Sequence, residues 1–243
     1  MPDTFGVSVG VCVHRNITMG AWKTLWSLAK CPNPKVNPLI QEGDALISRS
    51  RNKVATHFLQ NTQDEMLMFL DDDIEISSID ATRMLWEVHT NRWPILGGLY
   101  ALKDPEKGGF AFKAKDFEGE FEVGDQGSVI PAKSVSSGCM IIRREVFEKM
   151  VKSEKAHWCK QGYYTFFQHR EMLVDGEWDD MSEDWYFTQV ARDLGFGVFI
   201  DTRPKTKHFG PFPYSWDFVS LMSNGGIPKR DTMIMKYDVL EVK

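Results

Sequence analysis

The sequence predicts an α/β protein in which helices flank a central sheet. Over residues 1–100, short apolar runs alternate with segments of helical periodicity, a pattern typical of strands joined by helices. Beyond residue 100 the pattern changes to short strands around turns, with two further helices. The run Met66–Leu70 is short, continuous and apolar, as expected for a strand that is buried on both faces.

The first part of the chain contains four predicted strands and three predicted helices. Apolar runs bounded by polar residues indicate the strands, and apolar residues spaced by three and four indicate the helices. Pro32, Pro34 and Pro38 favour a loop after the first helix. The strands are at 5–13, 39–40, 66–70 and 94–100, the helices at 19–30, 45–59 and 79–90, and the loop at 31–37.

The second part mixes hairpins with helices. Its predicted strands are at 108–112, 120–123, 134–142, 163–168 and 195–200, and its helices at 143–152 and 182–194. An acidic loop at 175–180 precedes the second of these helices. The whole pattern predicts one domain over 1–243, with a nucleotide-binding half at 1–100 and an acceptor-binding half with a C-terminal extension at 101–243.

Composition excludes several classes of function. A net charge of -5 argues against a dedicated nucleic-acid surface. The apolar stretch at 5–13 is too short to span a bilayer and lacks a basic flank, so no transmembrane segment is expected. The 4 cysteines form no CxxC pair, which indicates thiols in a reducing compartment and predicts a cytoplasmic protein.

Three consecutive carboxylates, Asp71, Asp72 and Asp73, follow the buried strand directly. In open α/β sheets, ligands bind beyond the carboxyl ends of the strands. Adjacent carboxylates repel each other unless a cation or several hydrogen bonds stabilise them. The triplet therefore predicts a divalent-metal site that holds a phosphate. The alternative is a solvated turn whose acids cap the helix that begins near residue 78.

Three further segments complete the pattern. Residues 137–147 form a strand that runs into a helix behind Gly138, residues 182–187 open a helix with Ser-Glu-Asp-Trp, and residues 207–210 read Lys-His-Phe-Gly. Each has a simpler structural explanation. Glu183 and Asp184 are favourable in the first turn of any helix, and a lone histidine such as His208 is commonly a surface residue.

In this order, the four segments resemble the GT-A glycosyltransferases, particularly the family-2-like enzymes, over about residues 5–210. The resemblance implies a Rossmann-like nucleotide-binding domain with a mixed central sheet. It also implies a D-x-D motif at Asp71 and Asp73, with Asp71, Asp73 and His208 around Mn²⁺ or Mg²⁺. By the same resemblance, Asp184 is the catalytic base. The residues implied at the donor are Asp71, Asp72, Arg51 and Asn52, and those implied at the acceptor are Glu183 and Trp185.

The activity implied is metal-dependent transfer of a sugar from a nucleotide-diphosphate donor to an acceptor hydroxyl, with inversion at the anomeric carbon. The partners would be a nucleotide sugar and a glycan or other hydroxyl acceptor. A metal-dependent nucleotidyltransferase and a catalytically inactive sugar- or nucleotide-binding module remain alternatives. A nucleic-acid acceptor is a further alternative, which the acidic net charge disfavours.

The sequence departs from this family where the nucleotide base would bind. The first strand runs into Val13-His14-Arg15-Asn16, where the family has a Pro-Thr-Tyr-Asn-like turn. The aspartate that recognises the base in the family has no clear counterpart. Glu42 and Asp44 are the two candidates, and the sequence leaves the choice between them open, together with the identity of the base and of the sugar.

Overall fold

The computed structural model describes residues 4–103, 109–114, 120–174, 176–210, 213–215, 217 and 232–236. Most of the predicted C-terminal extension therefore lies outside the described residues. The helices of the described chain are α1 Met19–Ala29, α2 Ile47–Asn61, α3 Ser78–Asn91, α4 Arg144–Lys152 and α5 Glu183–Asp193. None of these described helices is long and apolar enough to cross a membrane.

Seventeen strands occur in the described residues. They are β1 Gly6–Val13, β2 Lys35–Glu42, β3 Met66–Leu70, β4 Ile74–Glu75, β5 Ile95–Gly98, β6 Phe112–Ala114, β7 Glu120–Gly124, β8 Val129–Val135, β9 Cys139–Arg143, β10 Trp158–Cys159, β11 Tyr163–Tyr164, β12 Arg170–Val174, β13 Glu177–Met181, β14 Val198–Asp201, β15 Lys207–Phe209, β16 Pro213–Ser215 and β17 Thr232–Lys236.

Eight of these strands form a mixed central sheet in the order β2-β1-β3-β9-β5-β14-β8-β6. Strand β1 is parallel to both β2 and β3, whereas β9 is antiparallel to both β3 and β5. Strand β14 is parallel to β5 and antiparallel to β8. This sheet, with helices packed on it, confirms the predicted α/β fold class. It also combines strands from both predicted halves of the chain, because β9 lies between β3 and β5.

The two faces of the sheet carry separate hydrophobic cores. Residues of β3 alternate between them, with Leu67 and Phe69 in one core and Met68 and Leu70 in the other. Helices α2, α4 and α5 supply side chains to the first core, and α1 and α3 supply the second. Burial on both faces explains why β3 reads as an uninterrupted apolar run.

Several element boundaries differ from those predicted. Strand β2 has eight residues because it pairs along its whole length with β1, although five of those eight residues are exposed. The apolar run at 134–142 is divided between β8 and β9, which two other strands separate in the sheet. The predicted acidic loop at 175–180 overlaps β13, an arm of a hairpin with β12 that is held by main-chain pairing.

Three loops meet at the carboxyl ends of β1 and β3. The Asp71 amide donates to the Gly138 carbonyl oxygen at 3.0 Å, which joins the end of β3 to the turn before β9. The Thr18 amide donates to the Asp72 carbonyl oxygen at 2.7 Å. A small sheet formed by β4, β15 and β16 pairs His208 with Ile74, so this histidine is next to the acidic triplet.

Candidate active site

Arg51 connects the acidic triplet to the start of α5. Its side chain lies on the buried side of α2 and is only 5% exposed. Nη2 donates to Asp71 Oδ1 at 2.8 Å, and Nη1 donates to Glu183 Oε1. One side chain thus binds two carboxylates that are 112 positions apart (183 minus 71) in the sequence.

The charges of this cluster depend on one another. Burial alone would lower the pKa of Arg51, but the surrounding acidic groups, with Asp71 and Glu183 foremost, together hold the pKa above its ordinary value. Burial raises the pKa of Glu183 above its ordinary value, and the Arg51 charge opposes that shift. Removing Arg51 would leave the largely buried Glu183 carboxylate without its partner, which is costly.

Asp73 lies between two cationic or potentially cationic groups. Its Oδ1 is 3.3 Å from His208 Nε2, and its Oδ2 accepts a hydrogen bond from Lys103 Nζ. The Phe209 amide donates to the Asp73 carbonyl oxygen at 2.8 Å, so β15 holds the loop from the other side. Burial alone would raise the pKa of Asp73, but the hydrogen bonds from His208 and Lys103 lower it below its ordinary value.

The pair formed by Asp73 and His208 could supply two protein ligands to a divalent ion. His208 Nδ1 is 2.9 Å from the Ala101 carbonyl oxygen, which requires Nδ1 to carry the proton that it donates. The 3.3 Å contact between Nε2 and Asp73 Oδ1 is a hydrogen bond when Nε2 also carries a proton, and a metal ion between the two atoms would take the place of that proton. Carboxylate and imidazole together suit Mn²⁺.

The described residues do not supply a complete metal shell. No group of three or more His, Cys, Asp or Glu side chains in the described part of the chain could hold a metal ion by itself. Asp71, the predicted third ligand, is bound to Arg51. Its role at the metal stays a prediction, and the remaining ligands of any ion would have to come from a bound molecule or water.

Asp184, the predicted base, is 9% exposed at the start of α5. Oδ1 accepts hydrogen bonds from the Ser182 hydroxyl and, at 2.8 Å, from the Trp185 amide. Oδ2 accepts from the Ser137 amide at 3.3 Å, which joins α5 to the turn between β8 and β9. These three donors fix the orientation of the carboxylate.

Tyr100 is a neighbour of the predicted site residues that the sequence did not indicate. It follows β5, its ring lies edge-on to the His208 ring with centroids 5.3 Å apart, and it is only 6% exposed. Burial, together with the charges of Asp71 and Asp184, raises the pKa of its hydroxyl well above the ordinary value. A single aromatic residue at a strand end has no distinguishing pattern, so only the fold could show this neighbourhood.

Gly138 permits this close packing. A Cβ atom at this position would lie 2.7 Å from Tyr100 Oη and 3.1 Å from Asp71 Oδ2. The sequence placed Gly138 in a strand-to-helix segment, but only the structure shows that its bare backbone faces both groups.

Two of the predicted site residues make mainly structural contacts in the described chain. The Asn52 amide group binds the Phe167 backbone twice, donating to its carbonyl oxygen at 2.9 Å and accepting from its amide at 2.7 Å. Trp185 is half-buried and packs against the larger core. The donor role of Asn52 and the acceptor role of Trp185 stay predictions.

A cavity of about 430 Å³ adjoins the triplet at the ends of β1 and β2. The His14 amide, in the wall of this cavity, donates to Asp72 Oδ2 at 3.3 Å. Of the two candidates for base recognition, Glu42 lines the cavity. Asp44 is instead bound by Arg49 at 2.6 Å and by Lys53 at 3.0 Å.

Comparison with solved structures agrees with this architecture. The chain resembles the crystal structure of A197 from STIV, with a TM-score of 0.54 and 17% identity over 84% of this chain and 85% of that chain. At this identity the likeness shows the fold alone. No family model matches the sequence, and no curated protein matches it significantly.

Two further solved structures have TM-scores below 0.5, and no argument is based on them. S. aureus TarS 1-349 in complex with UDP-GlcNAc has a TM-score of 0.46 at 14% identity, over 81% of this chain and 56% of that chain. GalNAc-T7 with UDP, GalNAc and Mn2+ has a TM-score of 0.49 at 11% identity, over 84% of this chain and 43% of that chain. The likeness to A197 from STIV therefore supports the observed α/β fold, and the glycosyltransferase identity belongs to the proposal below.

Proposed function

We propose that this chain is a metal-dependent glycosyltransferase that moves a sugar from a nucleotide-diphosphate donor to an acceptor hydroxyl. One observation carries the proposal. Asp73 and His208, which could supply two ligands to a divalent ion, lie at the same edge of the sheet as the cluster of Arg51, Asp71 and Glu183. Tyr100 lies near both groups: its ring meets His208, and a Cβ atom on Gly138 would touch both the Tyr100 hydroxyl and Asp71 Oδ2.

The donor would lie across the ends of β1 and β3. The cavity lined by His14, Trp22 and Glu42 has a volume that suits a nucleoside, and it leads to the loop of Asp72 and Asp73. Asp73 and His208 would hold Mn²⁺ or Mg²⁺ beside the diphosphate. When bound, such an ion acts as a Lewis acid on the departing diphosphate, an effect worth roughly several kcal/mol.

Asp184 would act as the general base. It would take the proton of the acceptor hydroxyl while that oxygen attacks the anomeric carbon from the face opposite the diphosphate. The bond from the anomeric carbon to the diphosphate oxygen breaks as the new bond forms, so the configuration inverts. The hydrogen bonds from Ser182, Ser137 and Trp185 support this role because they hold the carboxylate in one orientation.

Arg51 would position acids in this mechanism without itself meeting the donor. Its guanidinium is almost completely buried, and its two terminal nitrogens are bound to Asp71 and Glu183. The sequence resemblance placed Arg51 at the donor, but its burial favours an indirect role through Asp71. Substitution of Arg51 would reduce activity whether Arg51 acts directly at the donor or indirectly through Asp71. The two roles differ in whether Arg51 contacts the nucleotide.

A screen of nucleotide sugars with Mn²⁺ tests the proposal. The purified chain would be incubated with each donor, and release of free nucleoside diphosphate would be measured with and without EDTA. We expect metal-dependent release from one donor or a small group of donors. Release of pyrophosphate would indicate a nucleotidyltransferase instead, and binding of donors without turnover, with and without candidate acceptors, would indicate an inactive binding module.

A further inference from the structure

Lys103 has a role that the proposed mechanism does not include. Its ammonium group donates to Asp73 Oδ2, on the opposite side of the carboxylate from His208. Its aliphatic stem lies along the backbone of Gly210, where a Cβ atom would be 3.4 Å from Lys103 Cδ. Because the stem packs against Gly210, the ammonium group is held beside Asp73, unlike that of a lysine whose whole side chain extends into solvent.

This contact uses the carboxylate that a metal ion would need. Each oxygen of Asp73 already faces a nitrogen, since Oδ1 is 3.3 Å from His208 Nε2 and Oδ2 accepts from Lys103 Nζ. A divalent cation bound to Asp73 would stand within a few ångströms of the ammonium group. Two positive charges at that separation repel each other strongly where water is partly excluded, and Asp73 is only 26% exposed.

The geometry points to Lys103 as a tethered cation that competes with the divalent metal for Asp73. Without metal, Lys103 neutralises Asp73 and keeps the loop of the triplet in place. When metal binds, the ammonium group leaves the carboxylate, which it can do because the side chain is 34% exposed. This inference rests on the proposed metal site and adds a residue that sets the affinity of that site.

Direct measurement of Mn²⁺ binding tests the inference without any catalytic assay. The full chain would be titrated with Mn²⁺ in the absence of donor, and free Mn²⁺ would be followed by its electron paramagnetic resonance signal. Lys103→Met removes the competing charge and keeps an unbranched stem. We expect Lys103→Met to bind Mn²⁺ about five- to tenfold more tightly than the parent, the scale of a partly exposed ion pair with added charge repulsion.

Lys207→Met is the matched control. Lys207 precedes His208 on β15 and pairs with Glu75 at 3.3 Å, so its removal changes the local charge equally without freeing Asp73. We expect its Mn²⁺ affinity to stay within about twofold of the parent. Lys103→Arg should bind Mn²⁺ with the affinity of the parent or more weakly, because the competing charge is retained.

The inference is wrong if Lys103→Met binds Mn²⁺ no more tightly than the parent, if it binds none, or if Lys207→Met produces the same gain. Circular dichroism and thermal unfolding would show that each variant is folded. These outcomes are separate from the proposed function. Tighter Mn²⁺ binding by Lys103→Met together with no turnover of any donor would retain the competition and reject the glycosyltransferase.

Discussion

At the scale of single residues, the most specific chemical prediction is that Asp184 is the general base. Asp184→Asn keeps the shape of the side chain but removes the proton acceptor. A general base typically contributes about a hundred- to ten-thousandfold in rate. We expect kcat for transfer to fall by about this factor while donor affinity, measured by calorimetry, is unchanged, because the donor contacts lie elsewhere.

Two results would contradict that assignment. Transfer at the parent rate by Asp184→Asn would mean that another group takes the proton, and Glu183, adjacent in the first turn of α5, would be the next candidate. A product that retains the anomeric configuration of the donor would reject direct displacement itself. Glu183 is the weaker candidate on present geometry because Arg51 binds its carboxylate.

At the scale of elements, the turn before β9 shows how close packing shapes the site. In Gly138→Ala the new methyl group would meet the Tyr100 hydroxyl at 2.7 Å, and the buried ring has little room to move. Overpacking of this kind typically costs about 1–3 kcal/mol. We expect urea unfolding to show a loss of this size and, in addition, a fall in kcat of at least about tenfold, because Asp71 and Tyr100 shift.

Gly10→Ala provides the steric control for that variant. Its Cβ atom would lie 2.5 Å from Val54 Cγ1, within the apolar packing between β1 and α2. We expect a similar loss of stability but little change in kcat for the folded fraction. If the two variants lose stability and kcat in the same proportion, Gly138 is only a packing residue.

The segment that leads into α2 gives a prediction about pH. The Asp44 carboxylate is 4% exposed, accepts from Arg49 and Lys53, and accepts from the Leu46 amide at 3.1 Å. The hydrogen bond from Arg49 is the largest of the effects that hold the pKa of Asp44 below its ordinary value of 3.8. A carboxylate whose pKa is lower in the folded chain than in the unfolded chain stabilises the fold. This stabilisation is complete at pH values above the ordinary pKa, and it is lost as pH falls through the lower pKa of the folded chain.

Urea unfolding of Asp44→Asn between pH 7 and pH 3 tests this linkage. We expect the variant to be less stable by about 1–2 kcal/mol at pH 5–7, since hydrogen bonds to a charged group are lost. The gap should narrow below about pH 4, where Asp44 of the unfolded parent chain takes up a proton that the folded chain does not. A gap that stays constant or widens as pH falls would contradict the role of Asp44.

Whether an element could be predicted from the sequence depends on the interactions that stabilise it. Strand β3 and the helices were recognisable because burial imposes an apolar pattern on them. Strand β2 was shortened in the prediction because its side chains are largely exposed, and its length comes from main-chain pairing with β1. The break between β8 and β9 at 136–138 could not be predicted for a related reason. The sequence is apolar on both sides of the break, and only the order of strands in the sheet shows that they are separate.

At the scale of the whole molecule, the site depends on contacts between distant parts of the chain. The sequence identified Asp73, His208 and Asp184 as candidates, and the fold brings Asp73 and His208 together through the pairing of β4 with β15. It could not identify Tyr100, Lys103 or Ser137, whose roles arise from contacts and follow no local motif. The sequence also left open whether Glu42 or Asp44 recognises the base. In the structure Glu42 lines the cavity, whereas Asp44 is engaged in ion pairs.

The central claim is that Asp73 holds the metal on which donor turnover depends, and Asp73→Asn tests it most directly. Release of nucleoside diphosphate from the best donor would be measured with Mn²⁺ for the parent, for Asp73→Asn and for Asp193→Asn, an exposed acid at the far end of α5. Because metal stabilisation of the leaving group is worth roughly several kcal/mol, we predict about a thousandfold loss in Asp73→Asn and none in Asp193→Asn, with EDTA reducing the parent similarly. Full turnover by Asp73→Asn, or undiminished turnover by the parent in EDTA, would contradict the claim.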